Sequence, residues 1–268
     1  MISGTRGNAR WIQLALIAAA LAFAGCSEPA GEATAADAGS GTPPPISAAP
    51  AISAAPILDA GADRDAPEAR KPREIRGKIL CFGDSITRAE WPGKIAPDER
   101  WVTQLGKKSA EITVVNAGKN GRKTGAIDEL EKALAGSADA AMVLIFLGVS
   151  DMQPETVGVV EKAANNVGKM IDLTRAKLPK AEIVILAPID MNVEKLSPFF
   201  KSEGLGPDTA QLMRALAKAY ESLAKKKGTR FINLYRAVSP ENLEDGVHAN
   251  GKGQIQIADA VWKGLLRR

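Results

Sequence analysis

Histidine, cysteine and aromatic residues are scarce in this chain of 268 residues, which has one His, two Cys and 4% aromatic residues. A single histidine, His248, excludes a metal site built from several histidines. The two cysteines, Cys26 and Cys81, lie in segments of different character, so no disulfide framework is expected. A large charge of one sign is also lacking, since the formal net charge is +4. Acidic residues accompany the basic ones along the predicted helices, so we expect no nucleic-acid partner.

The beginning of the chain has the pattern of a bacterial export signal. Arg6 and Arg10 precede an apolar run over residues 11–23, which is of signal-peptide length and short for a membrane span. Small residues then lead directly to Cys26, as in the lipobox, where the cysteine is diacylated and the chain is cut just before it. We therefore expect a lipoprotein of the bacterial cell envelope, anchored by its lipid to a membrane outside the cytoplasm. A plain secretory signal with an incidental cysteine is the alternative.

Composition divides the chain into three segments. We expect a signal peptide over residues 1–25, a lipidated cysteine with a tether over 26–74, and a folded domain over 75–268. Alanine, proline, glycine and serine dominate the tether, and such a composition buries too little apolar surface to fold. The expected layout is therefore an anchor, a disordered tether and one domain.

Short apolar runs without clean alternation begin at the start of the third segment, as expected for parallel strands buried on both faces. Five such runs are predicted strands, over residues 79–82, 112–116, 140–147, 182–187 and 230–234. Helical patterns lie between and after them, over residues 99–110, 124–135, 154–178, 208–227 and 253–266. Asp208 is the predicted N-cap of the fourth helix, and Gly228 its C-terminal glycine. The alternation predicts an α/β fold, a three-layer α/β/α sandwich around a five-stranded, parallel, doubly wound sheet.

Polar turns follow the first two predicted strands, where a doubly wound sheet places its site. Gly83-Asp84-Ser85 follows the first strand and would put Ser85 where a strand turns into a helix; a simple polar turn or helix N-cap is the alternative. A glycine-rich segment over residues 116–124 follows the second strand. It lacks the ending of a phosphate-binding P-loop. Gly121 could instead direct its N–H towards the strand ends, or simply form a tight turn.

Two further segments carry polar side chains. Gly148-Val149-Ser150-Asp151 follows the third strand, and Asp245 precedes His248 by three residues, just before the last helix. Such a spacing lets the carboxylate reach the imidazole, fix its tautomer and stabilise the imidazolium, as acyl transfer requires.

These four segments, in this order, resemble the SGNH/GDSL hydrolase family over about residues 76–268. The resemblance implies a flavodoxin-like sheet, with Ser85 as nucleophile and Asp245 and His248 as its partners. It also implies an oxyanion hole formed by the N–H groups of Ser85 and Gly121. The third block of the family reads Gly-x-Asn-Asp, and its Asn donates to the oxyanion. Ser150 stands at that position here, with a hydroxyl that can donate but is shorter.

The function implied by the resemblance is hydrolysis of carboxylic esters through an acyl-enzyme, with no cofactor and no metal. Arg122 and residues 198–200 are similar to the arylesterase branch, which acts on short acyl esters. One alternative is an esterase that removes O-acetyl groups from peptidoglycan or another carbohydrate. The other is a non-catalytic envelope-binding module with a degenerate oxyanion hole, a reading favoured by Ser150. The expected partner is therefore a small-molecule ester or an acylated envelope polymer.

Apolar residues near the expected site are candidates for its walls. The segment over residues 188–207 follows the fourth strand and either walls an acyl or aryl pocket or packs on the body of the domain. Its apolar members are Met191, Leu196, Phe199, Phe200 and Leu205. Trp91 and Trp101 follow the nucleophile turn and are also expected to line the cleft. Cys81 lies within the first strand and is interpreted as a buried apolar thiol.

Overall fold

The computed structural model of this chain describes residues 73–91, 95–152 and 157–267. The predicted signal peptide, Cys26 and nearly all of the predicted tether lie outside these residues. Within the described residues, no helix combines the length and apolar character needed to cross a membrane.

A parallel sheet forms the centre of the described domain. Its strands are β1 (Gly77–Gly83), β2 (Ile112–Gly118), β3 (Ala140–Phe146), β4 (Glu182–Leu186) and β5 (Arg230–Ile232). They lie in the order β2-β1-β3-β4-β5, and every neighbouring pair is parallel. The predicted five-stranded parallel sheet is confirmed, with strand ends moved by one or a few residues. The chain leaves β1 towards β2 on one side and returns to β3 on the other, so the strand order reverses between β1 and β3.

Helices cover both faces of the sheet. They are α1 (Ser85–Arg88), α2 (Trp101–Gly106), α3 (Ile127–Ala135), α4 (Val159–Lys177), α5 (Pro198–Ser202), α6 (Pro207–Lys227) and α7 (Gly251–Leu266). Buried residues of α2 and α7 form one core with one face of the sheet, whereas those of α3, α4 and α6 form a second core with the other face. The three-layer α/β/α sandwich is therefore confirmed.

The alternation of side chains along β1 shows how one strand serves both layers. Ile79 and Cys81 enter the core shared with α2 and α7, and Leu80 and Phe82 enter the opposite core. All four are fully buried or nearly so. Cys81 is thus the buried thiol that the sequence predicts, and burial raises its pKa well above the ordinary range.

Two predicted helix beginnings are wrong. The second predicted helix was expected from residue 124, but α3 begins at Ile127 because Thr124 donates its N–H and hydroxyl to Asp151. Asp208 is not the N-cap of α6: that position is Gly206, and Pro207 takes the first helical position, where its fixed φ and missing N–H are suited. Gly228 ends α6 with φ 59°, so the predicted C-terminal glycine is confirmed.

Other helix bounds differ in length. The helix expected over residues 99–110 spans only Trp101–Gly106, and glycine has a low helix propensity. The helix expected from residue 154 begins at Val159, because residues 157–158 form a turn in which Gly158 is the N-cap, with φ 69°. The last helix begins two residues early, at Gly251, where the Asn250 side chain accepts the N–H of Gly253. Helix α1 begins at Ser85, where a turn from strand to helix was expected, but its extent and the short helix α5 were not predicted, because so few residues leave no periodic pattern.

Candidate active site

The reversal of strand order between β1 and β3 creates the crevice in which the candidate site lies. Loops leaving the carboxyl ends of these two strands diverge, and a cleft opens between them. Ser85 lies just beyond the end of β1, and Ser150 lies just beyond the end of β3. The candidate nucleophile and the candidate third oxyanion donor therefore line the same cleft.

A tight turn holds Ser85 at the beginning of α1. The Asp84 carboxylate accepts the N–H of Ile86 at 3.0 Å, which caps the helix and fixes the intervening Ser85. Asp84 is 1% exposed. Burial raises its pKa to about 7, although the Ile86 N–H and the charge of His248 act in the opposite direction. A carboxyl group that resists ionisation therefore lies directly beside the nucleophile.

The buried Asp84 predicts a pH dependence of stability. Its pKa is near 3.8 in the unfolded chain and about 7 in the fold. Between these pH values Asp84 ionises in the unfolded chain but stays protonated in the fold, so the free energy of unfolding falls as the pH rises. Asp84→Asn keeps an oxygen acceptor for Ile86 and removes the charge. The free energy of unfolding of the variant, relative to that of the wild type, should therefore be about 3 kcal/mol higher at pH 7 than at pH 4. Urea denaturation at both pH values measures this, and parallel pH profiles for the two proteins would contradict it.

The loop that carries Asp245 and His248 is closed on itself. Leu243 and Ala249 form an isolated antiparallel bridge, and Gly246 turns the chain with φ 86°. A side chain at Gly246 would also meet the backbone of the facing segment, because its Cβ would lie 2.6 Å from the Asn192 carbonyl oxygen. The turn brings the carboxylate beneath the imidazole of the same loop.

The structure brings Ser85, His248 and Asp245 into one hydrogen-bonded line. Asp245 Oδ2 lies 2.9 Å from His248 Nδ1, and His248 Nε2 lies 2.9 Å from Ser85 Oγ. Burial would raise the pKa of Asp245, but the hydrogen bond and charge of His248 and two backbone N–H groups outweigh it and lower that pKa to about 2. An ionised carboxylate only accepts, so Nδ1 carries the proton and Nε2 is free to accept the proton of Ser85.

The loop after β2 is packed closely against the nucleophile turn. A Cβ at Gly118 would lie 2.1 Å from the Arg88 backbone nitrogen, so only glycine lets β2 end this close to α1. The Asn116 side chain bonds the Thr87 carbonyl oxygen at 2.9 Å. Gly121, with φ 69°, forms the following turn and lines the same cleft as Ser85.

The Arg122 side chain holds the same loop through hydrogen bonds to two backbone carbonyl groups. Its guanidinium donates to the Gly83 carbonyl oxygen at 2.7 Å and also to the Ala117 carbonyl oxygen. It lies 4.1 Å from the centroid of the Phe82 ring. The side chain is 9% exposed, so it joins the ends of β1 and β2 and faces away from solvent. The resemblance singled out Arg122, but only the structure reveals this clamp.

Ser150 lies in a 3₁₀ turn over Val149–Asp151. The neighbouring Asp151 accepts the N–H of Thr124 at 2.9 Å and its hydroxyl at 2.6 Å. Burial raises the pKa of Asp151, although these two bonds oppose the shift. The Thr124–Asp151 contact ties the loop of Gly121 to the loop of Ser150, so both candidate oxyanion donors are held in one wall of the cleft.

The cleft has a volume of about 520 Å³ and a largely apolar wall. Phe199, Phe200 and Leu205 contribute to that wall, and the Phe200 ring lies 5.6 Å from the imidazole of His248. Met191 and Leu196 are buried beneath it instead. The segment over residues 188–207 thus fits both of its interpretations, because part of it lines the cleft and part packs on the body.

The two tryptophans expected in the cleft have different positions. Trp91 is 56% exposed and lines the cleft. The prediction for Trp101 is wrong: its ring is 0% exposed and contacts Phe146 edge-on, with 5.9 Å between centroids. Trp101 begins α2 on the face of the sheet covered by α7, so its large apolar ring is buried in that core.

The acidic residue of the site has a further partner that the sequence did not predict. The indole N–H of Trp91 donates to Asp245 Oδ2 at 2.8 Å. The only sequence signal was the position of Trp91 shortly after the nucleophile turn.

Among the described residues, no group of three or more His, Cys, Asp or Glu side chains is arranged to hold a metal ion.

Comparisons with known proteins agree with this architecture. The model of the GDSL-like Lipase/Acylhydrolase family matches residues 81–254. Among solved structures, the aryl esterase of M. smegmatis is similar with a TM-score of 0.61 at 22% identity, over 70% of this chain and 97% of its own. The carbohydrate acetylesterase family member from Sinorhizobium meliloti has a TM-score of 0.60 at 23% identity, over 70% and 99%. A member of the lipolytic protein G-D-S-L family from Veillonella parvula DSM 2008 has a TM-score of 0.56 at 18% identity, over 72% and 100%.

At identities below 25%, the similarity to these structures shows the fold alone. No curated protein matches this chain at a significant level.

Proposed function

This chain belongs to the GDSL-like lipase/acylhydrolase family, and from that premise we propose that it hydrolyses carboxylic esters through an acyl-enzyme formed on Ser85. The observation that carries the proposal is the line from Asp245 through His248 to Ser85, with both contacts at 2.9 Å. This line ends in an apolar cleft large enough for a small ester.

The proposed reaction has two steps. Ser85 Oγ attacks the ester carbonyl carbon, its proton passes to His248 Nε2, and the carbonyl electron pair moves onto the oxygen. Collapse expels the alcohol, which takes the proton from Nε2 and leaves an acyl ester on Ser85. Water then attacks this ester and gives a proton to Nε2. The second collapse returns that proton to Ser85 Oγ and releases the acid.

Charge develops on the carbonyl oxygen in both steps. The proposed donors to it are the backbone N–H groups of Ser85 and Gly121, with the Ser150 hydroxyl as a third. Loss of one such donor in a serine hydrolase lowers kcat by about 10²–10³-fold. The contact between Thr124 and Asp151 supports a joint role, because it holds the two loops of Gly121 and Ser150 together.

We propose short acyl or aryl esters as substrates. Phe200 lies beside the imidazole, and Phe199, Leu205 and Val247 continue the apolar wall. A volume of about 520 Å³ suits a small acyl or aryl group rather than two long chains. Rates for p-nitrophenyl esters from acetyl to dodecanoyl test the proposal. We expect kcat/KM to fall with increasing chain length, and a clear preference for the longest chains would contradict short-acyl specificity.

Removal of acetyl groups from carbohydrates is the second candidate. Trp91 and Phe199 are 56% and 64% exposed on the rim of the cleft, and exposed aromatic faces at a site commonly bind ligands. One of the similar structures is a carbohydrate acetylesterase family member. Acetate release from an O-acetylated glycan, compared with turnover of p-nitrophenyl acetate, distinguishes the candidates. Efficient release from the glycan with weak turnover of the aryl ester would favour this second function.

We also propose that the protein acts at the cell envelope, held by a lipid on Cys26. The supporting observation is the apolar run over residues 11–23 followed by small residues up to the cysteine. Cells fed an alkyne-labelled fatty acid should label the wild-type protein, and Cys26→Ala should abolish that label because the acceptor thiol is gone. Equal labelling of both proteins would contradict the proposal.

A further inference from the structure

The acidic member of the proposed triad receives hydrogen bonds on both carboxylate oxygens. Oδ1 accepts the backbone N–H groups of Val247 at 3.0 Å and His248 at 2.8 Å. Oδ2 accepts the imidazole of His248 at 2.9 Å and the indole N–H of Trp91 at 2.8 Å. Three of these four donors belong to the same short loop as Asp245. Trp91 is the exception, since it reaches Asp245 from 154 residues away.

Trp91 also lies on the segment that carries the nucleophile. It follows Ser85 by six residues, and α1 ends between them at Arg88. Ala89 then reverses the chain in the left-handed region, with φ 53°, and its N–H bonds the Ser85 carbonyl oxygen. The contacts among Ser85, His248, Asp245 and Trp91 therefore close a ring with the chain between Trp91 and Ser85.

We propose that Trp91 is a positioning residue for the acid–base pair, holding Asp245 Oδ2 at its distance from His248 and sharing that oxygen with the imidazole. This inference rests on the proposed function, because it assigns Trp91 a role in the same reaction. A second donor on Oδ2 draws carboxylate charge away from His248, so the imidazolium is stabilised less than it would be by Asp245 alone.

Other charged groups stand on the elements that pack against this pair. They are Asp84 and Arg88 at α1, Glu90 beside Trp91, Asp151 after β3, Glu194 and Lys195 before α5, Lys201 and Glu203 at α5, and Glu244 beside Asp245. Glu90 pairs with Arg88 and, at 3.6 Å, with Arg100. Removing the Trp91 N–H changes none of these charges, so a shift in the pH profile reports the lost hydrogen bond.

The test uses Trp91→Phe and, in a second variant, replacement of Trp91 by 3-benzothienylalanine, which keeps the bicyclic ring and lacks the N–H. Phe199→Leu is the matched control, because Phe199 is also an exposed aromatic residue of the cleft. For both Trp91 variants we expect kcat to fall about tenfold. We also expect the acidic midpoint of the kcat/KM profile to rise by about half to one pH unit. The control should change KM and leave the midpoint in place.

The outcomes separate this inference from the proposed function. If the wild type hydrolyses esters in a Ser85-dependent manner but both Trp91 variants keep its kcat and its acidic midpoint, the positioning role is wrong and the esterase stands. A change in Trp91→Phe that 3-benzothienylalanine does not reproduce also overturns the role, since ring shape alone would explain it. Absence of Ser85-dependent hydrolysis in the wild type overturns both.

Discussion

Ser85→Ala is expected to lower kcat/KM for p-nitrophenyl acetate by at least about 10³-fold, and by as much as about 10⁶-fold. The substitution removes the oxygen that lies 2.9 Å from His248 Nε2, so no acyl-enzyme can form. The backbone N–H of residue 85 and the cleft remain, so a small residual rate over water should persist. Stability should change little, because Ser85 is only partly buried and alanine suits the first turn of a helix.

Ser109→Ala is the matched control for this prediction. Ser109 lies in the turn before β2, at the opposite ends of the strands, where its hydroxyl accepts the Glu111 N–H at 3.1 Å. Because Ser109 does not line the cleft, its loss should leave kcat/KM within a factor of about two and change the free energy of unfolding by less than about 0.5 kcal/mol. Hydrolysis by Ser85→Ala at the wild-type rate would show that the measured activity comes from another group or from a contaminant.

Asp245→Asn should lower kcat by about 10⁴-fold, the loss that the same change causes in a serine protease. The amide can keep one oxygen facing the backbone N–H groups of Val247 and His248, which now bond Oδ1. Its NH₂ group then faces two other donors, the ring N–H of His248 and the indole N–H of Trp91. The imidazole avoids this donor–donor contact by carrying its proton on Nε2 instead of Nδ1. Nε2 can then no longer accept the proton of Ser85.

Glu244→Gln is the control for Asp245→Asn. It makes the same chemical change at the preceding residue, which is exposed, and should leave kcat nearly unchanged. Chemical denaturation distinguishes a loss of activity caused by the wrong tautomer of His248 from one caused by unfolding. Asp245→Asn should keep a cooperative unfolding transition. Retention of more than about a tenth of the wild-type kcat in a folded Asp245→Asn protein would contradict the assigned role.

The sheet and the triad could be predicted from sequence for the same reason. Parallel strands buried on both faces appear as short apolar runs, and their carboxyl ends must meet at one edge. Ser85 follows the first such run, and Asp245 and His248 share one turn before the last helix. The resemblance to the SGNH/GDSL family implied the roles of these three residues, and the fold with the local spacing explains why they converge.

Side-chain contacts between loops could not be predicted in this way. Trp91 and Trp101 look alike in sequence, yet one bonds Asp245 and the other is buried on Phe146. The environment of each tryptophan depends on the path of the loop after α1 and on the face of the sheet that α2 covers. The Arg122 clamp likewise needs the carbonyl groups of two strands at once, and neither strand alone predicts it.

Covalent trapping of Ser85 tests the proposed reaction most directly. Incubation with diethyl p-nitrophenyl phosphate, followed by intact-mass and peptide mass spectrometry, should give one diethylphosphoryl group per chain, located on Ser85. Ser85→Ala should remain unmodified, and His248→Gln should react far more slowly because the proton of Ser85 then has no acceptor. A wild-type protein that stays unmodified would contradict the account and favour a non-catalytic module. A protein that carries the group on another residue would contradict the assignment of Ser85 as the nucleophile.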